Sequence, residues 1–428
     1  MDYILNIIVI ISYISLVRIW WIRAVEGVWA PSTFFGYYTI IFGMPVYLLS
    51  MENGLYVAEL FSESPRMTAI LLAFGAYPAA MIAICLEQFT GNSKFFRLRG
   101  RMPSLSWAQS LKILAIVTLV LAIWVFLTPR FNMLVSLIRG LSMGESSELN
   151  YMRRVQFVDG FFNQKVFTWC RFSIGPVLAL TTSEVLRGRI PSLFRWLVTF
   201  IIYFLFSAAF HKSTWVIGFA YIAINELFAL RSKYAENSRL IALGILALSL
   251  FAGILVAFAY LLQYRSNETL SLSYHLIHGF TRLFGCINDG LLTFTYVFPN
   301  HVPYMPGPVL LGSISGETGG GPGRLSALAL GVDTTIQPGM LGHLYSGLGV
   351  FCIPIYIFII NIICFVANLA LKQNPSRLFQ RVVGPCLGVA IMWTLHNPLM
   401  PAIFSSGLFL LIVGSFIYGL TTSSNRLS

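Results

Sequence analysis

Apolar and polar residues follow one another along this chain in long blocks. Apolar runs of roughly the length that crosses a bilayer as an α-helix recur throughout, separated by polar connectors. Eleven such runs predict eleven transmembrane helices: 3–20, 33–50, 67–86, 111–128, 166–182, one ending at Phe210, 215–230, 240–263, 345–370, 382–396 and 402–420. The pattern therefore predicts an all-α polytopic membrane protein.

Basic residues set the predicted orientation. Arg18 and Arg23 follow the first run, and Arg and Lys residues dominate every second connector after it. Short cytoplasmic connectors carry such an excess of positive residues, which predicts a periplasmic N-terminus and a cytoplasmic C-terminus. All six histidines then fall at or near the outer face. The predicted parts are a bundle (1–263) with an outer loop at 129–164, a large outer loop (264–340), and C-terminal helices (341–428).

Composition agrees with this class. The chain is 57% hydrophobic and 10% charged, with a mean hydropathy of +0.77. Its net charge of +12 does not indicate nucleic-acid binding, since cytoplasmic connectors produce the same excess. The six cysteines show neither a disulfide framework nor zinc-ligand spacing.

One segment of the large loop has helical periodicity. Apolar residues recur at spacings of three and four between Leu272 and Phe294. His275, His278, Arg282 and Asp289 share the opposite face, within about 60° of one another at ~100° per residue. Two interpretations stay open: an interfacial helix with a solvated polar side, or a polar side lining a cavity for an anionic substrate.

The stretch 316–323 is rich in glycine and lacks the Gly-Lys-Ser/Thr ending of a phosphate-binding loop. It is predicted to be a flexible linker or a lid that orders over substrate. Motifs of serine hydrolases and zinc proteases are absent from the sequence.

Three short motifs carry a family resemblance. They are His211-Lys212-Ser213-Thr214, the segment 279–285 around Arg282, and the helix entry Gly342-His343-Leu344-Tyr345 with Gly347 and Gly349. Together with the late outer loop, they resemble the Wzy-type O-antigen polymerases of Gram-negative bacteria.

The resemblance implies a membrane glycosyltransferase of the broad GT-C type in the bacterial inner membrane. Its donor would be a growing glycan on undecaprenyl pyrophosphate, and its acceptor a single lipid-linked repeat unit. Pathway partners would be a chain-length regulator and a flippase. No cofactor or metal is implied, and no nucleic acid.

Pyrophosphate as leaving group calls for fixed cations. The candidates are Arg282, Arg265, Arg153, Arg154, Arg324, Lys212 and, near a helix end, Arg171. His343, His278 or Asp289 could act as general base on the acceptor hydroxyl. Structural roles stay open, because Arg153 and Arg154 could pair with Asp159 and His343 could hydrogen-bond within the bundle.

Two rival functions remain. A flippase for lipid-linked oligosaccharide would share the composition, but its spans are expected to carry charges along a translocation path. Here Arg171 and Glu226 are the main charged residues inside the predicted spans. An O-antigen ligase would differ only in its acceptor.

Overall fold

A computed structural model describes residues 2–26, 30–51, 65–89, 106–127, 169–207, 212–233, 244, 291, 294–306, 339–372, 377–394 and 407–424. All regular structure in these ranges is helical, and they contain no strand. The helices are α1 (Asp2–Val25), α2 (Pro31–Met51), α3 (Pro65–Leu71), α4 (Tyr77–Phe89), α5 (Trp107–Leu127), α6 (Gly175–Leu186), α7 (Ser192–Ser207), α8 (Lys212–Lys233), α9 (Gly339–Leu348), α10 (Cys352–Lys372), α11 (Arg377–Thr394) and α12 (Leu408–Ser424).

The all-α membrane class is confirmed. Among the described helices, four segments are long and apolar enough to cross a membrane: Tyr3–Val25, Arg66–Glu87, Trp107–Trp124 and Gly339–Lys372. Helical residues are described in every predicted span, but in 240–263 residue 244 alone is described. The total of eleven spans stays a prediction.

Short irregular turns interrupt three of the helical segments. A π-helix at Leu72–Ala76 joins α3 to α4, and another at Cys170–Ile174 leads into α6. A 3-10 turn at Gly349–Phe351 joins α9 to α10. Gly349 has φ +55°, which glycine adopts without the steric cost that a side chain brings.

Two predicted boundaries are wrong. The helix predicted to begin at 345 already begins at Gly339, and the break at Gly349 divides the run into α9 and α10. Hydropathy does not register such a break, since both helices are apolar. Lys212, Ser213 and Thr214 belong to the first turn of α8 and not to a polar turn before it.

The bundle has a protein-facing and a lipid-facing side. Large side chains such as Phe35, Tyr77 and Phe294 are fully buried in one continuous core. Apolar side chains stay exposed along α1, α5, α7 and α10, as at Ile11 and Phe358. Exposed apolar surface of this extent suits contact with lipid chains.

Candidate functional site

A buried ion pair joins the ends of α1 and α4. Arg23 Nη2 lies 2.8 Å from Glu87 Oε2, and both side chains are only 5% exposed. Arg23 Nη1 also contacts Glu26, at 2.7 Å, and that carboxylate is 49% exposed. The guanidinium therefore fixes the end of α4 against the end of α1.

A second ion-pair network crosses α6 and its neighbours. Glu184 is fully buried and accepts hydrogen bonds from Arg187 at 2.6 Å and from Arg381 of α11 at 3.1 Å. Arg187 Nη1 reaches Glu226 of α8 at 3.0 Å, and Arg195 of α7 reaches the same carboxylate at 2.8 Å. Three guanidinium groups and two carboxylates thus tie four helices together.

The start of α2 follows Arg23 and Glu26 along the chain. Its aromatic and amide contacts place both ion-pair groups at the same end of the bundle. The Phe34 ring of α2 stacks on the Phe228 ring of α8, with centroids 6.3 Å apart. Asn368, near the end of α10, lies 3.4 Å from Ser32 Oγ at the start of α2. Hereafter "the charged end" means the two groups Arg23, Glu26, Glu87 and Glu184, Arg187, Arg195, Glu226, Arg381.

The opposite end holds the described part of the large loop, residues 294–306. Phe294, Val297 and Phe298 are fully buried in the bundle core. Tyr345 of α9 donates its hydroxyl hydrogen to the Phe298 carbonyl at 3.2 Å, and Met305 N–H donates to the Ser346 carbonyl at 2.9 Å. The loop is therefore anchored in the bundle at this point.

The other face of 294–306 is exposed. Asn300, His301 and Tyr304 are exposed, and the His301 ring lies 4.7 Å from the Tyr296 ring. Tyr304 packs edge-on against Tyr345, with centroids 5.8 Å apart and planes at 88°. Residues 294–306 together with His343, Tyr345 and Ser346 are called the aromatic end.

His343 belongs to this end but lies inside it. Its side chain is 8% exposed, and its ring meets the Phe294 ring edge-on at 5.4 Å. The Ser346 hydroxyl donates to the His343 carbonyl at 2.8 Å. The ring is thus packed inside the bundle, and the hydrogen bond involves the His343 carbonyl and not its imidazole. The role of His343 as general base stays a prediction.

Most other predicted site residues lie outside the described residues: Arg265, Arg282, Arg153, Arg154, Arg324, His278 and Asp289. Lys212 is described only as a helical position in α8. One observation still bears on Arg282. Leu291 and Phe294, on the apolar face opposite Arg282 in the predicted helix, are both buried in the bundle core, so this end of the helix packs on protein.

Arg171 lies in the π-helix before α6 and is buried. Its guanidinium carbon is 5.0 Å from the centroid of the Phe172 ring, and it interacts with Tyr203 and Tyr221. A guanidinium among aromatic rings gains cation–π attraction. The structure therefore places Arg171 inside the bundle, packed against aromatic side chains.

Sequence reasoning missed the network around Glu184. Glu226 stood out as a charged residue within a span, but its partners come from separate helices and are distant in sequence. A carboxylate in an apolar run was the available signal, since buried charges require partners. The described residues include no group of histidine, cysteine and acidic side chains arranged to hold a metal ion.

Known proteins show no detectable similarity to this chain. No family model matches it, and no curated protein and no solved structure is significantly similar to it.

Proposed function

We propose that this protein is a periplasmic-face glycosyltransferase that polymerises O-antigen repeat units linked to undecaprenyl pyrophosphate. The proposed arrangement has eleven spans in the bacterial inner membrane, with the charged end in the cytoplasm and the aromatic end in the periplasm. The observation that carries the proposal is the anchoring of 294–306 in the bundle core. It joins the loop that holds Arg265, Arg282 and Arg324, three of the seven candidate cations, to the membrane domain.

Anchoring matters because the reaction joins two membrane-bound substrates. Donor and acceptor are both held by lipid, so their sugars and pyrophosphates stay close to the membrane surface. A loop fixed to the outer ends of the helices holds its side chains at that level, where fixed positions favour reaction. Leu291 and Phe294 pack on protein, which in the predicted helix leaves the face with Arg282 directed away from the core.

Arginines at this position suit the chemistry. Cleavage of the bond between the sugar and the pyrophosphate develops negative charge on the leaving oxygen. Guanidinium groups bind phosphate with two parallel hydrogen bonds and stabilise that charge. Arg282, Arg265, Arg153, Arg154 and Arg324 are proposed for this role, with His343, His278 or Asp289 taking the proton of the attacking hydroxyl.

The positions of buried charges favour a transferase over a flippase. Of the six buried arginine and glutamate residues among the described ones, five (Arg23, Glu87, Glu184, Arg195 and Arg381) form ion pairs at the charged end, and Arg171 lies elsewhere. A flippase is expected to place such groups along a path through the spans. The ligase remains the second candidate, because it would use the same donor.

The glycan phenotype of a deletion strain distinguishes the three functions. Loss of a polymerase leaves lipid A core that carries one repeat unit, and complementation by the full chain restores the ladder on a gel. Loss of a ligase leaves polymer that is not attached to lipid A core. Loss of a flippase leaves no surface repeat unit. Either of the last two patterns contradicts the proposal.

A further inference from the structure

The exposed face of residues 294–306 combines three kinds of side chain. Asn300 has an amide, His301 an imidazole and Tyr304 a phenol, and all three are exposed. The amide and imidazole supply hydrogen-bond donors and acceptors, and the phenol adds a flat apolar ring with a polar edge. This combination matches a molecule with hydroxyl groups around its edge and C–H groups on its faces.

The lack of charged residues in this part of the loop indicates which class of ligand it fits. Residues 290–316 contain no aspartate, glutamate, lysine or arginine. Phosphate recognition in proteins depends on cationic side chains or on clustered backbone N–H groups. A segment without charged side chains fits a neutral ligand, and a sugar ring is the neutral part of the proposed substrate.

Tyr304 is held in one orientation although 38% of it is exposed. Its hydroxyl lies 3.4 Å from the hydroxyl of Tyr345, and its ring stands perpendicular to that of Tyr345. Its phenol also lies directly over Gly349, where a Cβ atom would approach to 3.0 Å. A rigid aromatic ring loses little conformational entropy when a ligand stacks on it.

The depth of Tyr304 suits the same ligand. Helix α10 has 21 residues, which at the α-helical rise amounts to about 31 Å. That length alone crosses a hydrocarbon core of roughly 30 Å. Gly349 begins the short turn that joins α9 to α10, so in the proposed arrangement Tyr304 lies at the membrane surface, at the level where the sugars of a lipid-linked glycan are presented.

From these observations we infer that Asn300, His301 and Tyr304 form a sugar subsite, with Tyr304 as the ring on which one sugar residue stacks. This inference rests on the proposed function, because that function supplies the glycan. In this arrangement, arginines of the loop bind the pyrophosphate, and the sugar subsite binds the glycan through neutral contacts.

Photo-cross-linking in cells tests the inference directly. The photoreactive residue p-benzoylphenylalanine replaces Tyr304 in one full-length variant and Tyr3 in a control, since Tyr3 is 78% exposed at the predicted periplasmic end of α1. We expect glycan-containing adducts at position 304 and only phospholipid adducts at position 3. Phospholipid adducts alone at 304, or no adduct there, would make Tyr304 an interfacial anchor and overturn the inference.

Kinetics in membrane fractions provide a second readout, with the extracted lipid-linked repeat unit as acceptor. Loss of ring stacking in Tyr304→Leu should raise KM roughly threefold to tenfold, with little change in kcat. Tyr304→Phe keeps the ring and should stay close to wild type, as should Tyr3→Leu. Unchanged KM with reduced protein level in Tyr304→Leu would indicate a structural role and contradict the subsite.

The two proposals fail in different ways. Glycan adducts at position 304 combined with a ligase or flippase phenotype in the deletion strain would retain the sugar subsite and reject the polymerase. A polymerase phenotype with phospholipid adducts alone at 304 would do the reverse.

Discussion

The two ends of this bundle are built from different chemistry. At the charged end, carboxylates and guanidinium groups from separate parts of the bundle meet at 2.8 to 3.1 Å with little exposure. At the aromatic end, the loop is held by buried rings and by hydrogen bonds between neutral groups, from the Tyr345 hydroxyl to the Phe298 carbonyl and from Met305 N–H to the Ser346 carbonyl. One end uses its charges to hold helices together, and the other holds its loop without them.

This difference has a physical reason. A buried charge is costly unless a partner compensates it, so arginines that stabilise a helix bundle are no longer available to bind a substrate. An end assembled from neutral contacts leaves the cations of its loop available for an anionic ligand. The comparison therefore predicts that substitutions at the charged end affect stability, and that substitutions in the outer loop affect activity.

Reporter fusions give the broadest test of the comparison, because their outcome is all-or-none. Fusions after Arg189 and Lys372, beside the charged end, should report cytoplasm, since basic residues are retained there. Fusions near Gly144 and Gly320 should report periplasm. A cytoplasmic signal at Gly320 would place the large loop on the side of the membrane away from the proposed substrate. That result would contradict the proposed polymerase function.

Arg282 is expected to give the largest effect of any single substitution on activity. Arg282→Ala should abolish or strongly reduce polymerisation, because a guanidinium that holds pyrophosphate is lost. Arg282→Lys should rescue only partly, since an ammonium group keeps the charge without the two parallel hydrogen bonds. Polymer ladders and immunoblots measure yield and protein level, and the protein level should stay near wild type in both variants.

Full-length polymer at wild-type yield in Arg282→Ala would make the helix around 282 an interfacial support. The search for the pyrophosphate site would then move to Arg153, Arg154 and Lys212.

Hydropathy predicted the helices because each span carries its signal within its own residues. The apolar runs at 3–20 and 111–128 coincide with α1 and α5. Periodicity likewise placed Leu291 and Phe294 on an apolar face, and both are buried. Such features depend on neighbours along the chain, which a single sequence displays directly.

The same reasoning could not predict contacts between residues that are distant in sequence. Glu184 and Arg381 meet although 197 positions separate them, and no local pattern indicates that pairing. The break at Gly349 is another example, since glycine occurs 35 times in the chain and only the fold shows that this one has φ +55°. For the same reason, the anchoring of 294–306 against α9 emerged only from the structure.

Glu184 should give the largest loss of stability at the charged end. Glu184→Gln leaves Arg187 and Arg381 without one of the carboxylates that compensate them, which for a buried pair costs about 3 to 5 kcal/mol. Denaturation in mixed micelles measures the free energy of unfolding. Activity per folded molecule should stay near wild type, because the substitution is remote from the outer loop.

Glu26→Gln is the matched control, since Glu26 also pairs with an arginine but is 49% exposed. Exposed ion pairs contribute roughly 0 to 1 kcal/mol, so this variant should unfold almost like the wild type. Equal losses in the two variants would show that burial does not set the strength of these pairs, and would weaken the contrast between the ends.

Gly349→Ala should cost less stability than Glu184→Gln, and it tests the aromatic end. A side chain at φ +55° costs about 1 to 2 kcal/mol, and its Cβ would also meet the Tyr304 ring at 3.0 Å. Gly188→Ala separates the two contributions, because Gly188 has φ +77° but no atom within 4 Å of the added Cβ. Both variants should lose similar stability, whereas only Gly349→Ala displaces Tyr304 and should lower polymer yield per molecule. Equal yields in the two variants would mean that the exact position of Tyr304 is irrelevant to the reaction, and that the rings at this end serve packing alone.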